Sequence, residues 1–322
     1  MRHSLKALIL AASALFALPG CAPEPETVNL SIATGGTGGV YYPLGGGMAN
    51  VFSKTIPGMT ATAEVTGGSV DNMRLIGSGK PYIALTQADA AKDAYNGEGK
   101  FKGTKIPVRA MMMLYTNLMQ AVTVEGTGVN SIADLKGKRV STGSPGSATE
   151  VFAHRLLQAA GIDPNKDIRK ERLGAAESAN ALKDKKIDAF FFVAGLPTSA
   201  VTDVAATPGM KIKFLDSAHL LAAMNKASGN IYVADDIPKS TYPGMTVDNK
   251  ATAVANLLVA NANMSEQTVY NIVKTIFDKH ADLVAVHKAA NDIKLDRQKP
   301  EASPVPWHPG AVKYFKEKGL KF

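Results

Sequence analysis

Apolar and polar residues alternate from Val28 to Ile32 and then stop at Gly35-Gly36, the pattern of a half-buried strand feeding a loop. "TATAEVTGGSVDNMRLIGSG" repeats it as a strand, a Gly-Gly turn and a helix predicted to be capped by Ser69, and "PYIALTQADAAKDAYNG" repeats it again. "VRAMMMLYTNLMQAVTVEG" is apolar almost throughout, which predicts a strand or strand pair crossing between domains. Met111, Met112 and Met113 are expected to fill core, because adjacent strand positions cannot all face one ligand.

A second unit opens with strand "KRVST" and a helix ending at Gly161, with Pro164 beyond. Strand "DIRKERL", helix "AAESANALKD" and strand "IDAFFFVAG" follow, then a turn at Pro197. This alternation predicts an α/β fold of βαβ units with parallel strands flanked by helices. Near the end, Ser265 is placed to cap a helix whose apolar positions Val269, Ile272, Val273, Ile276 and Phe277 share one face. A last helix is expected in "AVKYFKEKG" after "PWHPG", and Trp307 is expected to pack in core. No internal repeat is visible.

The chain has 322 residues, 45% hydrophobic and 20% charged, enough for two domains with their own cores. Residues 1–21 read as an export signal: Arg2 and Lys6 supply charge, "ALILAASALFAL" is an apolar stretch too short to span a bilayer, and Gly20 precedes Cys21. Cys21 is the single cysteine, so no disulfide can form within one chain. "LPGC" is similar to a bacterial lipobox and makes Cys21 the expected site of lipidation; ordinary signal cleavage is the alternative. "APEPET" then forms a stiff tether over 22–27.

Net charge is +8 and falls to +6 when Arg2 and Lys6 leave with the signal. The basic residues lie in scattered groups without interleaved aromatics, which argues for solvated faces and against nucleic-acid binding. Histidines show no H-E-x-x-H spacing and have no cysteine partners, so neither metal nor cofactor is expected.

The chemistry concentrates in "ATGGTGGVYYPLGGGMAN". If Gly39 caps the following helix, Pro43 falls among the first residues, whose amides lack intrahelical partners, and its missing N–H costs little. The free amides and the positive helix end then face one spot that glycine leaves open: an anion site. G-x-G-x-x-G fails at Tyr41, a P-loop lysine is missing, and G-x-S-x-G is matched neither here nor at "TGSPGS". In "GSPGSATE", Ser147 and Glu150 have the spacing of a capping box, with Ser144 and Thr149 hydroxyls around the same helix start. Two such starts facing one cleft could grip a small carboxylate. Tyr41 is expected to turn its hydroxyl to the ligand, and Gln87 and Asn72 to donate hydrogen bonds.

"GGTGGVYYPLGGGMAN", "SVDN", "TQADAAKDAYNG", "DLKGKRVSTGSPGSATE", "KIDAFFFVAGLP" and "PWHPGAVKYFKEKG" together resemble the TAXI family of solute-binding receptors for tripartite (TRAP) transporters. The resemblance implies a two-lobed type II periplasmic-binding-protein fold that closes on glutamate, glutamine, 2-oxoglutarate or a similar organic acid. It further implies delivery to TRAP membrane subunits, with no catalysis. It assigns Thr37, Gly38, Gly39, Val40, Tyr41, Ser69, Asn72 and Gln87 to one wall of the site. Ser144, Pro145, Gly146, Ser147, Thr149, Gly195 and Pro197 are assigned to the other. The family usually carries glycine at the position of Ala148, which bears on ligand identity. Expected lobes are 28–117 plus 249–322 and 118–248, in a periplasmic or extracytoplasmic monomer touching membrane only through a lipid at Cys21. Rival readings are an exported enzyme using Ser144 or Tyr41 as nucleophile, for which His154 is the only nearby base, and a receptor feeding a sensor kinase or ABC importer.

Overall fold

A computed structural model describes residues 27–322; the expected export signal, Cys21 and tether residues 22–26 lie outside them. The strands are β1 (Val28–Ala33), β2 (Met59–Glu64), β3 (Tyr82–Gln87), β4 (Val108–Val124), β5 (Arg139–Ser141), β6 (Arg169–Glu171), β7 (Ala189–Ala194), β8 (Ile212–Phe214), β9 (Tyr232–Ile237) and β10 (Asn249–Asn261). The helices are α1 (Tyr41–Thr55), α2 (Ser69–Gly77), α3 (Ala88–Asn96), α4 (Ala148–Ala159), α5 (Ala175–Lys183), α6 (Ser199–Ala206), α7 (Leu221–Ser228), α8 (Glu266–Asp278), α9 (His280–Val286) and α10 (Pro309–Glu317).

The sheet runs β2-β1-β3-β10-β4-β7-β5-β6, with β8 beside β4 and β9 beside β10. Two parallel trios stand at its ends. In each, the first strand pairs with both others, β1 with β2 and β3, β5 with β6 and β7. Between them β4 and β10 run antiparallel to each other and to the adjoining trio strands. The 17 residues of β4 reach on the order of 55 Å at the ordinary strand rise, so one strand serves both halves. The result is a two-lobed α/β fold in which each lobe carries a parallel trio flanked by helices.

Leu44, Met48 and Phe52 of α1 pack with Ile272 and Ile276 of α8 and Phe315 of α10 on one face of the first trio. Phe190 of β7 packs with Leu182, Val201 and Val204 under α5 and α6. A third core spans both halves, joining Met73 and Ala91 to Phe152, Leu156 and Tyr232. Met111 and Met112 enter one core and Met113 another; strict alternation would group Met111 with Met113, and the ladder with β10 shifts register at Met111. Trp307 lies edge-on to Phe315 and Phe322. Ser147 and Ser265 cap α4 and α8 through the amides of Glu150 and Thr268.

Two caps differ from expectation. Val40, not Gly39, precedes α1, and no side chain caps that helix. Gly68, with φ of 119°, precedes α2; Ser69 is already helical, and its hydroxyl accepts the Gln87 amide at 3.1 Å. The capping box at α4 is half formed, because the Glu150 carboxylate is taken by Arg172.

Candidate functional site

Each trio sends its chain from the carboxyl end of a strand through a turn into a helix, and four such turns meet. The first turns of α1 and α2 come from one half and those of α4 and α5 from the other, around a cavity of about 360 Å³. The first N–H groups of a helix have no intrahelical acceptor and carry its positive end. Those of Tyr41, Ser69, Ala148 and Ala175 find no protein acceptor among the described residues, and all four residues line the cavity. Gln87, 3% exposed at the end of β3, adds a carboxamide whose Oε1 has no partner. A buried polar group without a partner costs on the order of 1–3 kcal/mol, so the arrangement favours a polar guest.

Gly39, Val40, Tyr41, Ser69, Gln87, Ser144, Pro145, Ser147 and Thr149 of the expected site line this cavity together. The remainder are elsewhere. Thr37 is exposed on the loop outside it. The Gly38 carbonyl accepts from Ser199 Oγ at 3.0 Å and from the Ala200 amide at 3.3 Å. Asn72 is fully buried: its amide donates to the carbonyls of Thr34 and Leu85, each at 2.7 Å, and its Oδ1 accepts from Thr66. Asn72 therefore holds strand ends together and does not reach the cavity. Gly146 lies behind the loop, with its carbonyl accepting from the Asp71 amide. Gly195 packs against the Tyr115 ring, and the Pro197 carbonyl meets the His287 ring at 3.2 Å.

The hydroxyls are also used differently from expectation. Tyr41 donates to Asn256 Oδ1 at 2.8 Å and accepts from Asn117 at 3.2 Å, so its hydroxyl is fixed on β10 and β4. Burial pushes the Tyr41 phenol well above its ordinary value, which keeps it protonated. Ser147 donates to the Ser144 carbonyl, and Ser144 donates across the cavity to the Gly67 carbonyl at 3.0 Å. Thr149 accepts the Val193 amide. Backbone amides, more than hydroxyls, are left for a guest.

Sequence reasoning missed the turns after β2 and β6. Thr66, Gly67, Gly68, Arg172, Leu173 and Gly174 all line the cavity, as do Phe192, Val193 and Ala194 at the end of β7. The glycine directly before "AAES" was the available signal, since Gly174 stands before α5 as Gly68 stands before α2.

A crevice at the carboxyl ends of two α/β strand sets, walled by helix N-termini, defines the class of two-lobed binding proteins. The chain belongs to the NMT1-like family, whose pattern matches residues 32–319. Among solved structures it is similar to the periplasmic binding protein BugD, at 17% identity and a TM-score of 0.56, over 92% of this chain and 99% of that one. MatC from Rhodopseudomonas palustris, solved with malate bound, matches at 12% identity and a TM-score of 0.56, over 91% and 97%. A further periplasmic transporter structure matches at 13% identity and 0.54, over 92% and 93%. At these identities the likeness speaks for the fold. Among the described residues no helix is long and apolar enough to cross a membrane.

Proposed function

We propose that the chain is an extracytoplasmic solute receptor that binds a small carboxylate between its lobes and delivers it to the membrane subunits of a TRAP transporter, as a TAXI-type receptor. One observation carries the carboxylate reading: four helix N-termini from both halves, with uncommitted amides, converge on one cavity. Hydrogen bonds to a charged group contribute about 1.5–3 kcal/mol each, so uncharged donors suffice to hold an anion out of water. The lobes are residues 28–117 plus 249–322 and 118–248, and β4 and β10 are the connection about which they close. Contacts across the cleft support closure: Ser144 to Gly67, Asp71 to Gly146, and α6 to Gly38.

Ligand bridging the walls would favour the closed form and give a permease a ligand-dependent surface to recognise. The enzyme reading has less support, since the Ser144 and Tyr41 protons are engaged and His154 does not line the cavity. Titration calorimetry of residues 22–322 against amino acids and organic acids tests the proposal; heat with at least one carboxylate is expected. Binding of a sugar or a cation with no heat from any carboxylate would refute it. A permease gene of TRAP type adjacent to this one is the expected partner, and an ABC importer or sensor kinase there would redirect the reading.

A further inference from the structure

We infer that the ligand is an organic acid without an amino group, and that its body is hydrocarbon rather than a second carboxylate. The inference rests on the carboxylate reading above and concerns what else the same cavity admits. An α-amino acid brings an ammonium next to its carboxylate, and a buried ammonium needs an anionic partner. Arg172 and Glu177 are the charged residues among those lining the cavity, and both are exposed at its rim. The Glu177 carboxylate is folded back toward Gly174 over the start of its own helix, where one oxygen would lie 2.4 Å from a Cβ placed on that glycine. The interior therefore offers an ammonium no carboxylate, only the uncharged Gln87 Oε1 as acceptor, and it sets that ammonium among helix N-termini whose partial charge is positive.

A second carboxylate fares little better. The Arg172 guanidinium, the one cation on the lining, is clamped by both oxygens of Glu150 at 2.5 and 2.9 Å, with Glu150 itself almost fully buried. Releasing it would leave a buried carboxylate with only the Lys100 ammonium, 3.9 Å away, as partner. The wall away from the helix ends is Phe192, Val193 and Ala194 at the end of β7, which favours hydrocarbon. Gln87 Oε1, the orphaned acceptor, is placed to meet a hydroxyl group beside the carboxylate, and the Ser69 hydroxyl to meet a keto or hydroxyl oxygen.

The test is calorimetry of residues 22–322 with two matched series: leucine, 4-methyl-2-oxopentanoate and 4-methylpentanoate; glutamate, 2-oxoglutarate and glutarate. Within each series the amino-free acids should bind at least about tenfold tighter than the amino acid, and the branched series should bind tighter than the dicarboxylates. Glutamate or leucine binding as tightly as its keto acid would overturn the exclusion of the amino group, and a preference for dicarboxylates would overturn the hydrocarbon body. Silence from every acid would instead remove the carboxylate reading and this inference with it. Val65→Asp, at an exposed position on the cavity edge, adds the missing anion without disturbing a core. It should narrow the ratio between keto acid and amino acid at least threefold, and an unchanged ratio would count against the electrostatic cause.

Discussion

The loops after β1 and β5 occupy equivalent places in their trios, are both rich in glycine, and use it for different physical ends. Gly35, Gly36, Gly38 and Gly39 have no left-handed backbone; a Cβ at Gly36 would meet open space, whereas at Gly38 and Gly39 it would press on Ala176 and Phe192 at 3.0 Å. Their helix starts without a side-chain cap, so its first amides are left for other partners. Gly143 and Gly146 are left-handed, at φ 107° and 78°, and both are crowded. Their helix start is capped by Ser147, and the loop leans on the opposite wall. The first loop is therefore an opening to the backbone and the second a shaped buttress. Glycine content alone does not separate the two uses; the φ values and the capping of the helix that follows do.

The buttress should be the more fragile. Gly146→Ala places a Cβ 2.1–2.5 Å from Cγ and both oxygens of Asp71, so turning the carboxylate alone does not clear it, and Asp71 belongs to the other lobe. The left-handed backbone costs a further 1–2 kcal/mol or so in any state. Thermal unfolding should shift down by several degrees and affinity for the bound acid should fall at least about tenfold. Unchanged affinity would mean that the two walls do not meet when ligand is held, and the contrast between the loops would lose its basis.

Ser147→Ala comes next. It removes the α4 cap and the bond to the Ser144 carbonyl, at about 1 kcal/mol for the cap. Denaturant unfolding should report that loss without a change in slope. Ser144→Ala removes a bond that exists only across the cleft. Stability should hold while affinity weakens about fivefold, the equivalent of 1 kcal/mol. Equal loss of both quantities would assign Ser144 to folding instead of closure.

What the sequence discloses here is local. Strand β4, the trio helices and the Ser147 and Ser265 caps follow from periodicity and cap residues within a few positions. Ser69 was misplaced by one residue because the left-handed Gly68 supplies the turn that a capping serine would otherwise mark. The partners that the Ser144, Asn72 and Tyr41 side chains find were not legible, because a free hydroxyl or amide reads the same wherever it points. Their actual partners lie 77, 38 and 215 residues away in the chain. Arg172 was taken for part of a solvated basic run for the same reason: Glu150, which neutralises it, is brought beside it only by the pairing of β5 with β6. The repeated trio was invisible because topology, and not residue identity, is what recurs.

Gly36→Ala should have the smallest effect, and it probes the other side of the comparison. The position is exposed, its backbone is not left-handed, and a methyl group there touches nothing. Folding stability should therefore stay within about 0.5 kcal/mol, or rise, because alanine loses less backbone freedom than glycine on ordering. Gly36 nonetheless lines the cavity at the uncapped start of α1. If the first loop is open so that a guest can reach backbone, a modest loss of affinity with no loss of stability is expected, read by calorimetry beside thermal unfolding. A drop in stability with affinity intact would show that this glycine, like those of the second loop, is there for the shape of the chain.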